Sequence, residues 1–359
     1  MPSYLTEQPP TPGRGTRPRV AIIQKSDGLL TWCTDLAAAF REAGAITLAA
    51  NSRPSTLREW WWRHTQHQRL LLNPATSRRL AATLAGFSPD LVVVLNYPSL
   101  PPAAAALLRK AVSPGVPIVG WLCDSLEGFP AGHDALLDGV YYFDSASLPA
   151  LLEHYRGTRT RLEFLPLAAN PRRYRCESIN VQSRTRHLVF AGNCTPARQR
   201  FFAEYRRLGL RLDLYGLHAG NWPRVWRNRK LSSAALARVY QNHLVNLNLL
   251  QTGNTTNGLN LRAFEIPCAG GLASYPLVPD LARCFTPHQE VIVYQTATEL
   301  AEIVRTLLRD PAQAQAITCS GHQRVMREHT FYHRATRMLD DWLGASFRPE
   351  IPDYIAPSL

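Results

Sequence analysis

Short apolar runs alternate with amphipathic segments along the first half of the chain. The apolar runs predict strands at residues 19–24, 46–49, 90–95, 117–123, 139–143 and 161–168. The amphipathic segments between them predict helices at residues 32–44, 55–68, 76–86, 101–112 and 145–155. The run that follows Asp90 is apolar at every position, as in parallel strands that are buried on both faces. This alternation indicates a doubly wound parallel sheet.

The same alternation starts again after residue 186. Strands are predicted at residues 187–191, 210–215, 243–249, 271–275 and 290–294. Helices are predicted at residues 196–208, 232–241, 259–266, 296–310, 310–327 and 331–343. Ser232, Thr296 and Asp310 stand at the starts of three of these helices and are predicted to cap them, with Glu299 completing a capping box. The second half of the chain therefore predicts a second sheet of the same kind.

Two similar halves in tandem predict an α/β fold of two Rossmann-like, doubly wound domains that face a central cleft. Ligands of such sheets bind outside the carboxyl ends of the strands. The predicted boundaries are a disordered tail at 1–18, an N-terminal domain at 19–168, a linker at 169–186, a C-terminal domain at 187–343 and a C-terminal tail at 344–359.

Positive charge is concentrated in the middle of the chain. The 359 residues carry a formal net charge of +13, and residues 151–230 alone hold seventeen basic and five acidic residues. Only three of the forty basic residues are Lys, so a GC-rich genome is one explanation for the abundance of Arg. The concentration favours an anionic ligand, for which a nucleotide diphosphate, a phosphorylated acceptor and a nucleic acid are all open alternatives.

Cysteine usage and hydropathy exclude several classes of protein. The seven cysteines are scattered without a C-x-x-C pair, which argues against a disulfide framework and a zinc ribbon and predicts a cytoplasmic location. The sequence lacks an apolar run of about 18 residues, so a transmembrane segment is not predicted, although peripheral membrane contact stays open. No carboxylate or histidine cluster has the spacing of metal ligands, so neither a metal nor a tightly bound cofactor is predicted.

The stretch from residue 253 to 271 is the most informative for chemistry. It is a small polar loop after an apolar strand that turns into a helix, and Gly258, Arg262 and Glu265 lie on one face of that helix. A guanidinium can grip phosphate, and a carboxylate one turn away can accept hydrogen bonds from two ribose hydroxyls. The alternative is that Arg262 and Glu265 form an ordinary surface ion pair worth about 0.2–0.5 kcal/mol.

The sequence from Arg262 to Gly271, RAFEIPCAGG, resembles the R-x-F-E-I-P-A-x-G-G motif of the CgeB-like glycosyltransferases of the spore-maturation type, which have a GT-B fold. Residues 285–294, 298–311 and 321–330 resemble later elements of that family in the same order. The resemblance covers residues 188–343 well and the first half of the chain weakly. The pair Cys268-Ala269 departs from the motif by a volume-neutral exchange.

This resemblance implies a Leloir glycosyltransferase, either hexosyl- or pentosyltransferase, that moves a sugar from a nucleotide-diphosphate sugar to an acceptor hydroxyl. The donor, for which UDP is expected, would bind the C-terminal domain, and the acceptor would bind the N-terminal domain. One open alternative is an anionic acceptor, such as a glycan, modified DNA or another polyanion. The implied donor-binding residues are Glu265 at the ribose, Arg262, Asn257, Gly258, Leu259 and Asn260 at the pyrophosphate, and Gly192, Asn193 and Tyr215 lining the phosphate side.

Catalysis of transfer needs a group near the acceptor. An inverting enzyme uses a general base, whereas a retaining enzyme relies mainly on stabilising the leaving diphosphate, and the sequence leaves both open. Asp27, Asp124 and Asp144 each stand just past a predicted strand. Asp124 is the preferred base and Asp27 the second candidate, with the alternative that Asp124 only caps the following helix. His133 is a weaker candidate.

Two other functions stay open at this point. One is a nucleotide-sugar epimerase or hydrolase of GT-B fold, which would act on the donor without an acceptor. The other is a non-catalytic protein that binds nucleic acid through the basic central block, and such binding would depend steeply on salt.

Overall fold

The computed structural model describes ten stretches of the chain: residues 17–24, 31–51, 74–97, 102–124, 126, 137–216, 226–228, 231–250, 255–344 and 352–354. These residues form two compact units. The N-terminal unit contains the described residues up to Leu165 together with those from Phe331 onward, and the C-terminal unit is Pro166–Thr330.

Within the described residues, strands and helices alternate along the chain. The strands are β1 Arg19–Gln24, β2 Ile46–Asn51, β3 Leu91–Leu95, β4 Ile118–Leu122, β5 Gly139–Tyr142, β6 Arg161–Phe164, β7 Thr185–Ala191, β8 Leu212–Gly216, β9 Trp226–Asn228, β10 His243–Leu247, β11 Ala273–Pro276 and β12 Ile292–Tyr294. The helices are α1 Trp32–Glu42, α2 Pro74–Phe87, α3 Pro102–Ala111, α4 Leu148–His154, α5 Pro196–Arg207, α6 Ser233–Asn242, α7 Arg262–Cys268, α8 Ala297–Arg309, α9 Pro311–Glu328 and α10 Phe331–Leu343.

Each unit is built on a parallel sheet, as predicted. The strand order is β2-β1-β3-β4-β5-β6 in the N-terminal unit and β12-β11-β10-β7-β8-β9 in the C-terminal unit. All pairings are parallel, with Ile22 opposite Ala49 and Val93 in the first sheet. Every residue of β3, β4 and β10 is buried, because helices and loops cover both faces of a doubly wound sheet. The prediction of two Rossmann-like α/β domains is confirmed.

Helix starts follow the capping residues seen in the sequence. The Thr296 hydroxyl accepts from the backbone N–H of Glu299 at 3.1 Å, and the Glu299 carboxylate accepts from the N–H of Gln295 at 2.7 Å. Asp310 accepts from the N–H of Gln313 at 3.0 Å at the start of α9. These bonds satisfy N–H groups that have no partner inside the helix, which confirms the predicted caps.

The last helix belongs to the N-terminal unit, whereas the sequence grouped it with residues 187–343. The hydroxyl of Tyr141 on β5 donates to Asp341 at 2.7 Å and accepts from Trp342 Nε1 at 3.0 Å. Arg337 forms an ion pair with Glu163 on β6 at 2.7 Å. α10 is therefore bound to β5 and β6 of the first sheet. These contacts join residues far apart in the sequence, so the hydrophobic pattern of α10 alone does not predict them.

The rest of the predicted organisation divides between described and undescribed residues. Residues 169–186, predicted as a linker, are described in full and belong to the C-terminal unit. Four predictions fall outside the described residues: residues 1–16 of the tail predicted at 1–18, Asp27, the helix at 55–68 and His133. Within the described part of the chain, no helix is long and apolar enough to cross a membrane.

Two helical glycines differ in what surrounds them, and this gives a stability prediction. A methyl group at Gly321 on α9 would collide with the backbone carbonyl of Glu290, whereas nothing lies within 4 Å of a methyl group at Gly86 on α2. We expect Gly321→Ala to lower the free energy of unfolding by about 1–3 kcal/mol and Gly86→Ala to raise it by up to about 1 kcal/mol. Urea denaturation of both variants checks this, and equal midpoints for the two variants would contradict the packing described.

Candidate functional site

The order of the second sheet reverses between β7 and β10, and the candidate site lies there. β7 has β10 on one side and β8 on the other, so the chain leaves the carboxyl ends of β7 and β10 in opposite directions. A crevice at such a reversal is where doubly wound sheets bind their ligands. Gly192 and Asn193 follow β7 directly, and Asn248 follows β10.

Two glycines allow an arginine to approach the sheet edge closely. A Cβ at Gly192 would lie 2.8 Å from Arg262 Nη2 and 3.0 Å from Phe190 Cζ. The Gly192 N–H donates to the carbonyl of Tyr215 at 2.9 Å, and a Cβ at Gly216 would collide with the Gly192 carbonyl. A side chain at 192 would therefore displace the Arg262 guanidinium, and one at 216 would displace the backbone at Gly192.

A second arginine occupies the same corner. The guanidinium carbons of Arg198 and Arg262 lie 5.2 Å and 5.8 Å from the centroid of the Phe190 ring. Arg198 is 3% exposed and donates to the carbonyls of Asn193 at 2.8 Å and Leu249 at 2.7 Å, so it joins the loops that follow β7 and β10. Burial and the charge of Arg262 lower the pKa of Arg198 to about 10. Two positive charges this close attract an anion that would relieve their repulsion.

The loop before α7 is held by side chains from the ends of neighbouring strands and is not helical where the sequence predicted. Asn260 and Asn248 exchange amide hydrogen bonds at 2.9 Å and 3.0 Å, and the Asn260 N–H donates to the hydroxyl of Tyr275 at 3.0 Å. These bonds fix residue 260 outside the helix, so α7 begins at Arg262 instead of Leu259. The positive charge of this corner is carried by the guanidinium groups of Arg198 and Arg262.

The other loop residues of the predicted pyrophosphate contact are placed as follows. Leu259 is 1% exposed and its side chain belongs to the core. The Gly258 carbonyl accepts from Thr255 Oγ1 at 3.0 Å, and the Asn257 carbonyl accepts from the N–H of Asp280 at 3.1 Å. The contacts of these residues and of Asn193 and Tyr215 with a donor stay predictions.

Glu265 lies one turn along α7 from Arg262, and tyrosines surround it. The Tyr174 hydroxyl donates a hydrogen bond to the Glu265 carboxylate; burial and that carboxylate raise the pKa of Tyr174. The Tyr174 ring stacks on Tyr240 with centroids 6.4 Å apart. Burial and the Glu265 charge also raise the pKa of Tyr240, while the Arg262 charge opposes them, so both charged groups lie near this ring. Glu265 thus has the Tyr174 hydroxyl as a partner, which the surface ion pair considered as the alternative does not provide.

The motif at 321–330 packs against α7. His322 Nδ1 donates to the Pro267 carbonyl at 2.9 Å. His329 Nε2 donates to the Cys284 carbonyl at 2.9 Å, and the His329 ring packs 5.3 Å from the ring of Phe264. Arg324 forms an ion pair with Glu290 at 2.9 Å. These residues hold the helix that carries Arg262 and Glu265.

Asp124 and Asp144, two of the three candidate carboxylates, lie in the N-terminal unit. Asp124 is exposed and follows β4, and the preceding Cys123 N–H donates to Asn96 Oδ1 at 2.8 Å, so the loops after β3 and β4 are tied together. Burial, with a smaller effect of Asp124, raises the pKa of the Cys123 thiol. Asp144 is 2% exposed and accepts from the N–H of Ala146, so it is a capping residue and not a carboxylate that faces a ligand. Asp27 is not among the described residues.

Three residues of the candidate site were not predicted from the sequence. In the sequence, Arg198 is one of several basic residues of a helix predicted to be exposed. Tyr174 lies in the basic segment that was predicted as a linker. Tyr240 lies in the apolar stripe of α6. The only signal was that residues 151–230 concentrate positive charge, which does not single out Arg198. Among the described residues, no group of three or more His, Cys, Asp or Glu is arranged to hold a metal ion.

The fold belongs to a known structural class. The two parallel sheets give the chain the GT-B fold of glycosyltransferases. Residues 197–340, from α5 into α10, match the family described as glycosyl transferase-like. No curated protein sequence matches the chain.

Three solved structures illustrate the shared fold. A glycosyltransferase from Rickettsia africae has a TM-score of 0.63 at 10% identity, over 91% of this chain and 98% of that one. The HepE protein of Anabaena in complex with UDP and glucose has a TM-score of 0.60 at 12% identity, over 90% and 99% of the two chains. Sucrose-phosphate synthase from Thermosynechococcus elongatus has a TM-score of 0.58 at 16% identity, over 90% and 97%. At these identities the likeness concerns the fold alone.

Proposed function

We propose that this protein is a glycosyltransferase that transfers a sugar from a UDP-sugar to an acceptor hydroxyl. The family match and the GT-B fold support the reaction class. The observation that carries the proposal is the corner of the second sheet where the guanidinium groups of Arg262 and Arg198 flank Phe190 and Glu265 lies one turn away. UDP is proposed as the nucleotide because HepE binds UDP and UDP-glucose.

Each donor group has a partner in this corner. The Arg262 guanidinium offers parallel N–H donors to the diphosphate, and Glu265 offers carboxylate oxygens to the two ribose hydroxyls. Gly192 leaves room for the Arg262 guanidinium beside the backbone. The buried charge of Arg198 strengthens the positive field without direct contact. This field stabilises the negative charge that develops on the leaving diphosphate.

Asp124 is the proposed general base that accepts the proton of the acceptor hydroxyl, and Asp27 is the second candidate. Its exposure and its position after β4 support this role for Asp124. The motif at 262–271 supports a CgeB-like specificity, and the positive charge of residues 151–230 supports an anionic acceptor such as a glycan or modified DNA. Hexosyl transfer is the form that the UDP-glucose complex of HepE supports.

A thermal-shift panel of UDP, GDP, dTDP, CDP and ADP tests the donor site. A ligand at 100 times its Kd stabilises the folded protein by about 2.7 kcal/mol, so UDP is expected to raise the melting temperature most. Arg262→Gln is expected to abolish most of that shift, because uridine would then bind without a diphosphate partner. Failure of every nucleotide to shift the wild-type protein would contradict the proposal.

Incubation with UDP-glucose alone separates transfer from the alternatives. A transferase is expected to leave most of the donor intact until an acceptor is added. Rapid conversion of the donor without an acceptor would indicate an epimerase or hydrolase.

A further inference from the structure

Residues 169–186, which the sequence predicts as a linker, are fixed against α6 and α7 beside the candidate site. The Tyr174 carbonyl lies 3.7 Å from Cys268 Sγ at the end of α7. Gln241 of α6 donates to the carbonyl of Arg175 at 2.8 Å. The Cys176 side chain packs against Gly270, where a Cβ would have no room. Tyr174 therefore has a defined position between α6 and α7.

The Tyr174 side chain joins these helices through its hydroxyl. Ser233, the first residue of α6, donates to that hydroxyl, which in turn donates to the Glu265 carboxylate. Tyr174 is only 7% exposed, and its ring is stacked on Tyr240. Successive hydrogen bonds of this kind polarise one another, which strengthens the bond to the carboxylate.

A glutamate side chain has three rotatable bonds and loses rotamer freedom when it orders around a ligand. A hydroxyl bonded to the carboxylate fixes the side chain before the ligand arrives, and a carboxylate can accept several hydrogen bonds at once. Both neighbouring hydroxyls of a ribose can donate to such a fixed carboxylate, whereas a 2′-deoxyribose lacks one of these two donors.

We propose that Tyr174 is a positioning residue that orients Glu265 towards the 2′- and 3′-hydroxyls of a nucleoside diphosphate, and that it thereby sets the preference for ribose over 2′-deoxyribose. This inference rests on the proposed function, since it takes Glu265 as the ribose-binding group.

Calorimetric titration with UDP and with 2′-deoxyuridine diphosphate tests the inference. The readout is the Kd for the deoxynucleotide divided by the Kd for UDP. Loss of packing alone would raise both Kd values equally and leave this ratio unchanged. In Tyr174→Phe, Kd for UDP is expected to rise by about 5- to 20-fold while Kd for the deoxynucleotide changes less than about 2-fold. Glu265→Gln is expected to bring the ratio close to 1.

Two further variants keep the test decisive. Tyr205→Phe removes a buried hydroxyl of the same unit that has no hydrogen-bond partner among the described residues, and it is expected to leave both Kd values unchanged. Ser233→Ala keeps the Tyr174 ring and removes only its donor, so a smaller decrease of the ratio is expected, and this variant replaces Tyr174→Phe if the latter does not fold.

The outcomes distinguish the inference from the function on which it rests. If Glu265→Gln changes the ratio but Tyr174→Phe and Ser233→Ala keep the wild-type ratio, the role of Tyr174 is overturned and the donor site stands. If the wild-type protein binds neither nucleotide, or if Glu265→Gln keeps the wild-type ratio, the proposed ribose site is overturned and the inference with it.

Discussion

Replacing Asp124 by Asn is expected to lower kcat for sugar transfer by about 10²- to 10⁴-fold while leaving Kd for UDP unchanged. Asn has nearly the same shape as Asp but cannot accept the acceptor proton. Asp124 is exposed after β4 in the N-terminal unit, whereas the candidate donor site lies in the C-terminal unit, so donor binding should not depend on it. Transfer rates at saturating donor, with UDP titrations in parallel, check both parts of this prediction.

The matched control is Glu153→Gln, which neutralises another exposed carboxylate of the same unit, on α4. Its kcat is expected to equal that of the wild-type protein. If Asp124→Asn also keeps the wild-type kcat, Asp124 is not the base, and the result would agree with retaining transfer, which depends on stabilisation of the leaving diphosphate.

Replacing Glu265 by Ala is expected to lower kcat/KM for the donor by about 10- to 150-fold. The variant loses charge-assisted hydrogen bonds worth about 1.5–3 kcal/mol, and this loss corresponds to that range of rates. Glu204→Ala on α5 is the control, because it removes an exposed carboxylate of the same unit. Equal donor kcat/KM in Glu265→Ala and the control would remove Glu265 from the donor site.

Apart from β9, for which no strand was predicted, the strands of both sheets could be predicted from the sequence because their signals are local. An apolar run such as β3 needs burial on both faces wherever it lies, and a cap such as Thr296 acts within four residues. The position of α10 was not predictable, because it depends on bonds between Tyr141 and residues 200 positions further along the chain.

The candidate site was predictable only in part, for the same reason. Arg262 and Glu265 belong to a contiguous motif and could be singled out. The true start of α7 depends on Asn248, Tyr275 and their bonds to Asn260, which join separate segments. Arg198 becomes a buried residue only because carbonyls at 193 and 249 surround it.

The structure gives several arginines of the basic segment at residues 151–230 a role in the fold. Several of its arginines donate to backbone carbonyls: Arg184 to Gly270, Arg186 to Leu308 and Arg206 to Leu212. These guanidinium groups tie loops and strands of the C-terminal unit together. Part of the positive charge that suggested a polyanion therefore stabilises the fold.

Binding of a nucleoside diphosphate at the end of β7 is the central proposal for this protein. The most direct measurement is a crystal structure of the protein with UDP. We expect the diphosphate within hydrogen-bond distance of the Arg262 guanidinium and the ribose hydroxyls on the Glu265 carboxylate. UDP bound elsewhere on the protein, with Arg262 and Glu265 both out of its reach, would contradict the account.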